Sequence, residues 1–457
     1  MRLDDALAEL QVALGDRLSR TGAMRAAHAQ SETHITAGQP DAVAFPRTTE
    51  EVSRIARACA RNGVPMIAWG AGTSLEGHAL AVSGGVTVDF SMMDQVIAVH
   101  AEDMLVVVQP GVTRERLNEE LRATGLFFPI DPGANASLGG MTATRASGTT
   151  AVRYGTMRHN VLGLEVVLAD GRIIRTGSAA PKTASGYDLT ALFVGSEGTL
   201  GLITEITLRL QGQPEAVSAA VCAFPDAGAA VDCVIATIQT GIPLARIEFL
   251  DETSVDACNR YSGQNLPLAP HLLVEFHGSP ASVAEQAERF GEIAADFGSQ
   301  GFQWARASED RARLWKMRHQ AYHACLALRP GSTALVTDVC VPISRLAQAI
   351  EETRADLAIS PVPGPILGHV GDGNFHAILL VDRNNPAEVA EAKRLSARMA
   401  ERALALGGTV TGEHGIGMGK LAFMEAEHGL GWQVMGTLKR ALDPAGLLNP
   451  GKLVPQK

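Results

Sequence analysis

FPIDPGANASLGGMTATRASGTTAVRYG, residues 128–155, is the stretch on which the reading of this chain turns. Glycine, alanine, serine and threonine crowd together there with neither a helical nor a strand period. An irregular run of this length inside a compact domain needs a functional reason, and wrapping a large ligand is the one its composition suggests. Gly133, Gly139, Gly140 and Gly148 permit close approach of the backbone. Ser137, Thr142 and Ser147 carry hydroxyls able to donate hydrogen bonds.

Upstream, residues 3–19 have helical spacing, and AVAFPRTTEEVSRIARACARNGVPMIAWG (42–70) reads as strand, helix, strand. Thr49 is the expected N-cap, Val52, Ile55 and Ala56 the buried face, and Gly63 the breaker. VTVDF (86–90) and MLVVVQPGV (104–112) are strand-like, and a helix over 112–125 follows. Downstream, VLGLEVVLADGRII (161–174) is a hairpin turning at Asp170-Gly171, and 198–210 ends in a strand. From about residue 216 the pattern becomes strand, helix, strand, strand, helix, which predicts an antiparallel sheet backed by helices. A helix over 309–328, strand-like TALVTDVCVP, further helices and a helical tail complete the chain.

The 457 residues are enough for two or three domains, and 19% charged residues exclude a disordered chain. A net charge of -10 removes any electrostatic reason to bind nucleic acid or an anionic membrane. The six cysteines are scattered, with no CxxC pair, so neither a disulfide framework nor a metal-thiolate cluster is expected. The leading MRLDDALAELQVALGDRLSR has early acids and no basic start before an apolar stretch. A soluble cytoplasmic protein is therefore expected, with peripheral docking at the inner membrane as the alternative.

Two further glycine-rich loops join the opening stretch. AWGAGTSLEGH (68–78) follows a strand and can turn successive N–H groups toward phosphate, although it is neither a GxGxxG dinucleotide fingerprint nor a triphosphate loop. GSEGTLGLITE (195–205) places Gly198 and Gly201 at the start of a strand. Chemistry is concentrated in two other runs, GHVGDGNFH (368–376) and GTVTGEHGIGMGK (408–420). His369 and His376 have few apolar neighbours to pack against, and a tight GDG turn would fold one back toward the other. With Glu413 they form a His2Glu set suited to Zn or Mn with positions left open, and His414 remains as a base. The plainer alternative is that Asp372 and Glu413 brace loops while the histidines bond locally.

These loops resemble the FAD-binding domain of the vanillyl-alcohol oxidase and p-cresol methylhydroxylase group. From about residue 38 to 457 the chain resembles the FAD-linked D-2-hydroxyacid dehydrogenases, whose branches act on D-lactate, glycolate or D-2-hydroxyglutarate. The resemblance implies an α+β fold with a two-part FAD domain, an antiparallel-sheet cap domain and a helical C-terminal return. The corresponding boundaries are 1–37 for an N-terminal helical segment, 38–215 for the FAD domain, 216–415 for the cap and 416–457 for the return. It implies noncovalent FAD on Trp69, Gly70, Ala71, Gly72, Thr73, Ser74 and Leu75, since His78 comes late for a covalent tether. Further contacts fall on Pro132, Gly133, Ser137, Gly139, Gly140, Thr142, Ala146, Gly148, Gly198, Ile203 and Asn449.

By the same resemblance His369, His376 and Glu413 are metal ligands, His414 is the proton acceptor, and Arg318, in Leu314-Trp315-Lys316-Met317-Arg318, binds the substrate carboxylate. The 2-hydroxyglutarate branch has a lysine where this chain has Val336 and an asparagine where it has Ile378. Without them a second carboxylate would be buried unpaired, so D-lactate or a similarly small D-2-hydroxy acid is the expected substrate. The implied partners are that acid and an external acceptor, either a cytochrome, a quinone or an electron-transfer flavoprotein; a homodimer is compatible. A glycolate oxidase catalytic subunit, a D-2-hydroxyglutarate dehydrogenase and a non-catalytic flavin- or metal-binding subunit are the alternatives.

Overall fold

The computed structural model describes residues 2–180, 182–305 and 307–455. The chain forms two compact units, one made of Met1–Ser147, Gly155–Gln213 and Glu413–Lys457, the other of Gly148–Tyr154 and Pro214–Gly412. Helices and mainly antiparallel sheets alternate in both, an α+β arrangement.

Besides the two-stranded pair Leu126–Phe127 with Gln211–Gly212, the first unit contains two larger sheets. In the smaller, the strands run in the order Leu18–Ser19, Ala42–Ala44, Val86–Asp89, Met66–Trp69, and the last three are parallel. Helix Thr49–Asn62 supplies the crossover: Thr48 rather than Thr49 caps it by accepting from the Glu51 N–H, and Gly63 closes it at φ +65°. Its buried face, Val52, Ile55, Ala56 and Cys59, packs with Leu7, Leu10 and Leu14 of the leading helix. The larger sheet is wholly antiparallel, in the order Val96–His100, Leu105–Val108, Leu202–Arg209, Val161–Val167, Ile173–Gly177. Its last two strands are the hairpin expected at Asp170-Gly171.

The stretch 128–155 is more regular than its composition suggests. It contains helices Leu138–Thr144 and Ala151–Tyr154. Ser137 caps the first by accepting from the Gly140 N–H, and capping offsets the poor helix propensity of its glycines.

After helix Leu430–Leu442 the tail returns to the small sheet of the same unit. The Met66 N–H donates to Leu447 O at 2.8 Å and the Asn449 N–H to Met66 O at 2.8 Å. Buried Leu447 and Leu448 join the core there, which fixes Asn449 beside the strand leading into loop 69–75.

The second unit is an eight-stranded sheet in the order Gln300–Ala305, Ala216–Ala223, His271–Gly278, Leu244–Leu250, Ile366–His369, Asn374–Val381, Thr333–Val336, with Val339–Cys340 also paired to Asn374–Val381. A helix the sequence reading missed, Glu252–Ser262, interrupts the expected strand–strand succession; its signals are the Asp251 cap, Val255 and Cys258 at helical spacing, and Gly263 at φ +64°. The predicted helix over 309–328 is two helices, Ser308–His319 and Ala321–Ala327.

Alternation along the central strands sends two sets of side chains to opposite faces. Ile247, Phe249, Leu272, Val274, Phe276, Ile366, Phe375, Ala377 and Leu379 build the main core with the helices behind. On the other face, Leu250, Leu273, Leu367, Ile378 and Leu380 are covered by Val255, Cys258, Trp315, Met317 and Ala324. The polar residues of that second face, Arg246, Glu248, His369, Asn374 and His376, fall between these apolar ones at strand period. Each large apolar side chain buried contributes roughly 1.5–3 kcal/mol, while the polar row on the second face is held by its own hydrogen bonds and ion pairs.

Candidate active site

In the first unit the expected cofactor loops converge. A Cβ at Gly70 would lie 2.2 Å from Ser137 Oγ, and one at Gly139 2.5 Å from Pro110 Cβ, so the turn after Trp69 and the helix start touch only because these positions are glycine. Gly72, at φ +71°, folds back over the Trp69 ring, and the Glu32 N–H donates to Gly72 O at 3.3 Å. Gly198, at φ +70°, stands 3.5 Å from Ala68 Cβ and 3.8 Å from Asn449 Nδ2 by the same measure. Gly133 has open space where a Cβ would stand, Gly148 adopts φ +137°, and Ala146 and Ile203 are buried.

The hydroxyls expected to serve a ligand have partners within the fold. Ser137 Oγ is the helix cap, Thr142 Oγ1 donates to Leu138 O at 2.7 Å, and Ser147 Oγ donates to Glu413 Oε2 at 3.0 Å. Because Ser137 only accepts in that cap, its own hydroxyl hydrogen stays able to donate at this cradle.

Asn449 is the knot of the cradle. Its Nδ2 donates to His78 O at 2.9 Å and Glu197 O at 2.7 Å, while Lys452 Nζ donates to Asn449 Oδ1 and Leu80 O, both at 2.6 Å. Glu197 is buried, which works against its charge, yet His78 at 3.2 Å and the N–H groups of Ile416 and Gly417 hold its carboxyl below the usual range. His78 Nδ1 is buried without a hydrogen-bond partner among the described residues. Backbone-lined glycine turns and an orphaned buried donor or acceptor fit a large polar cofactor such as FAD.

Burial pushes the Lys452 ammonium down to about 7, with Glu197 offsetting part of the effect. Lysine in the unfolded chain titrates near 10.5, so between about pH 7 and 10.5 the unfolded state binds more protons and stability rises with pH. We expect Tm to climb through this window and Lys452→Met to flatten the climb. Parallel Tm–pH curves for the two proteins would remove Lys452 as its source.

In the second unit the tight turn forms as expected. The Asp372 N–H donates to His369 O at 3.0 Å, and Gly373 takes φ +80° where a Cβ would meet Val341 O at 2.0 Å. The resulting hairpin sets Leu367 opposite His376 and His369 opposite Asn374. The imidazole centroids of His369 and His376 are 5.6 Å apart at 82°.

Both rings are held by Nδ1: His369 by Glu248 Oε1 at 2.7 Å, His376 by Thr337 O at 2.9 Å. A carbonyl and a carboxylate only accept here, so each Nδ1 carries a hydrogen, and Nε2 is the ring nitrogen through which either histidine could ligate. Two such nitrogens on one hairpin suit a borderline divalent ion.

Glu248, which the sequence reading did not single out, is fully buried, and its second oxygen accepts from Arg318 Nη2 at 2.5 Å. Burial alone would raise its pKa, but the imidazole of His369 and the guanidinium of Arg318 outweigh this and hold it below the carboxylate range. Arg318 is itself buried, and its Nε has no partner among the described residues, a donor left over for another anion. The signal for Glu248 was a lone acid inside the apolar run Ile247-Glu248-Phe249, since a buried charge requires partners.

Asp338 organises the next stretch. It accepts from Asn374 Nδ2 at 2.7 Å, Thr411 Oγ1 at 2.6 Å and the Gly412 N–H at 3.0 Å. Gly412 packs so closely on Asn374 that a Cβ would lie 2.1 Å from its Nδ2. The chain passes from the second unit to the first immediately afterwards, at Glu413 and His414.

Residues 213–453 match the family described as FAD linked oxidases, C-terminal domain, and residues 40–177 match the FAD binding domain. The chain is 54% identical over 436 residues to a probable mitochondrial D-lactate dehydrogenase of Danio rerio, covering 94% of this chain and 88% of the relative. It is 46% identical over 454 residues to the mitochondrial D-lactate dehydrogenase (cytochrome) of Arabidopsis thaliana, covering 99% and 80%. In fold it is similar to p-cresol methylhydroxylase solved with substrate bound, with a TM-score of 0.80, 18% identity and 99% and 96% coverage. The cytoplasmic location expected from the leading residues is overturned by these relatives, both of which are mitochondrial. Among the described residues no helix is long and apolar enough to cross a membrane.

Proposed function

The chain belongs to the FAD-linked oxidases of the D-lactate dehydrogenase (cytochrome) group, and from that premise we propose that it oxidises D-lactate, or a similarly small D-2-hydroxy acid, to the 2-oxo acid. The observation that carries this reading is the pair His369 and His376 on one hairpin, each held through Nδ1, with Arg318 held against the same Glu248 carboxylate that holds His369. Anion binding and metal ligation thereby meet within hydrogen-bond reach of one side chain.

When bound, FAD would supply the hydride acceptor, and a divalent ion, Zn or Mn, held by His369, His376 and Glu413 would lower the pKa of the substrate hydroxyl. Glu413 follows directly on Gly412, which Asp338 anchors, and its carboxylate is oriented by Ser147. Arg318 binds the substrate carboxylate through the donors Glu248 leaves unused. His414 takes the hydroxyl proton on an imidazole nitrogen as the C2 hydrogen departs. Trp69 to Leu75, Gly139, Gly140, Gly198 and Asn449 hold the flavin, and the electrons leave to an external acceptor such as a cytochrome.

Substrate size follows from the sheet register. Val336 and Ile378 are direct cross-strand partners, and Ile378 is 2% exposed. Two adjacent aliphatic side chains, one of them just beyond His376, would leave a distal carboxylate unpaired. Anaerobic bleaching of the flavin should therefore be at least about tenfold more efficient with D-lactate than with D-2-hydroxyglutarate, judged by kcat/KM. Equal or greater efficiency with the diacid would sink the assignment of a small apolar substituent. Glycolate exceeding D-lactate would identify a glycolate oxidase subunit instead, and a flavin that none of these acids bleaches would identify a non-catalytic subunit.

A further inference from the structure

We infer that Glu248 is a positioning residue that holds the metal-ligand histidine and the carboxylate-binding arginine in register, one oxygen for each. The inference rests on the roles proposed above for His369 and Arg318. Glu248 lies on strand Leu244–Leu250, next to the Phe249–Gly368 pairing, which brings its side chain alongside His369 of the neighbouring strand. Its side chain shares a sheet face with Leu250, Leu273 and Leu367, all of them buried in an apolar cluster. Packing alone gives no reason for an acid there, because buried ion pairs are commonly replaced by apolar groups with no loss of stability.

The neighbouring charge on its own strand, Arg246, has other partners. Arg246, two residues earlier on the same face, stacks 4.7 Å from the Trp315 ring centroid and lies 3.6 Å from Glu275. Glu248 is left to His369 at 2.7 Å and Arg318 at 2.5 Å. Both partners donate, so the residue between them must accept twice. A glutamine offers one acceptor and one donor. In Glu248→Gln, therefore, either the amide donates to His369 Nδ1 and drives the ring's hydrogen onto Nε2, removing the ligand lone pair, or it faces Arg318 with a second donor and displaces the guanidinium.

The test uses the flavin-bound full chain, stripped of metal and titrated with Co2+ by absorbance, followed by steady-state kinetics with D-lactate at saturating Co2+. Glu248→Gln should bind Co2+ about 10–100-fold more weakly or raise KM by at least about tenfold, with its flavin spectrum unchanged. Glu248→Asp keeps the buried charge but is one methylene shorter, so it cannot reach both partners and should lose at least one of the two properties. It also decides the matter if the glutamine variant does not fold. Co2+ affinity and KM both matching the wild type in a folded variant, whatever its Tm, would overturn the inference and leave a purely structural acid. If the wild type neither takes up Co2+ nor is bleached by D-lactate, the functional assignment falls and the inference with it. A wild type that does both beside an unaffected variant overturns the positioning role alone.

Discussion

His414→Ala is expected to slow anaerobic flavin reduction by D-lactate about 10²–10⁴-fold while the purified protein still binds the proposed metal and its flavin. The size follows from losing a positioned proton acceptor at the step where the hydroxyl must be deprotonated. Metal retention follows from the separate support of Glu413, whose carboxylate accepts from Ser147 at 3.0 Å. Stopped-flow absorbance measures the rate and elemental analysis the metal. A variant that loses its metal in proportion to its activity would show that His414 supports the Glu413 site instead, and an unchanged rate would remove it from the chemistry.

Arg318→Met should fail in two ways at once. The substrate carboxylate loses its charge-assisted donors, so kcat/KM for D-lactate should fall by roughly 10²–10³-fold. Glu248, fully buried, keeps only His369, and breaking a buried pair from one side costs about 3–5 kcal/mol, which denaturant unfolding will register. Arg318→Lys separates the two effects. A lysine can restore the charge opposite Glu248 but not the planar fork, so most of the stability should return without most of the activity. A lysine variant with wild-type kcat/KM would mean that the substrate carboxylate is bound elsewhere.

Comparison of particular elements shows which kind of information each carries. The crossover helix with its Gly63 stop, the hairpin at Asp170-Gly171 and the GDG turn between His369 and His376 were all legible, because turn chemistry and side-chain period act between residues close in the chain. Helix Leu138–Thr144 was not, since small residues carry almost no periodic apolar signal and its stability comes from the Ser137 cap and burial of Leu138 and Met141. Helix Glu252–Ser262 was hidden in the same way by a mostly polar exposed face.

The amino-acid sequence by itself determined that this is a glycine-loop α+β flavoprotein with two histidines on one hairpin and a Glu-His pair downstream. The tertiary structure alone decided that Glu248 contacts His369 and Arg318 together, that both histidines are held through Nδ1, that Val336 faces Ile378 and that the tail docks at Met66. Each of these joins residues far apart in the chain through sheet register and burial, and a shift of one residue in register would turn every one of those side chains to the opposite face.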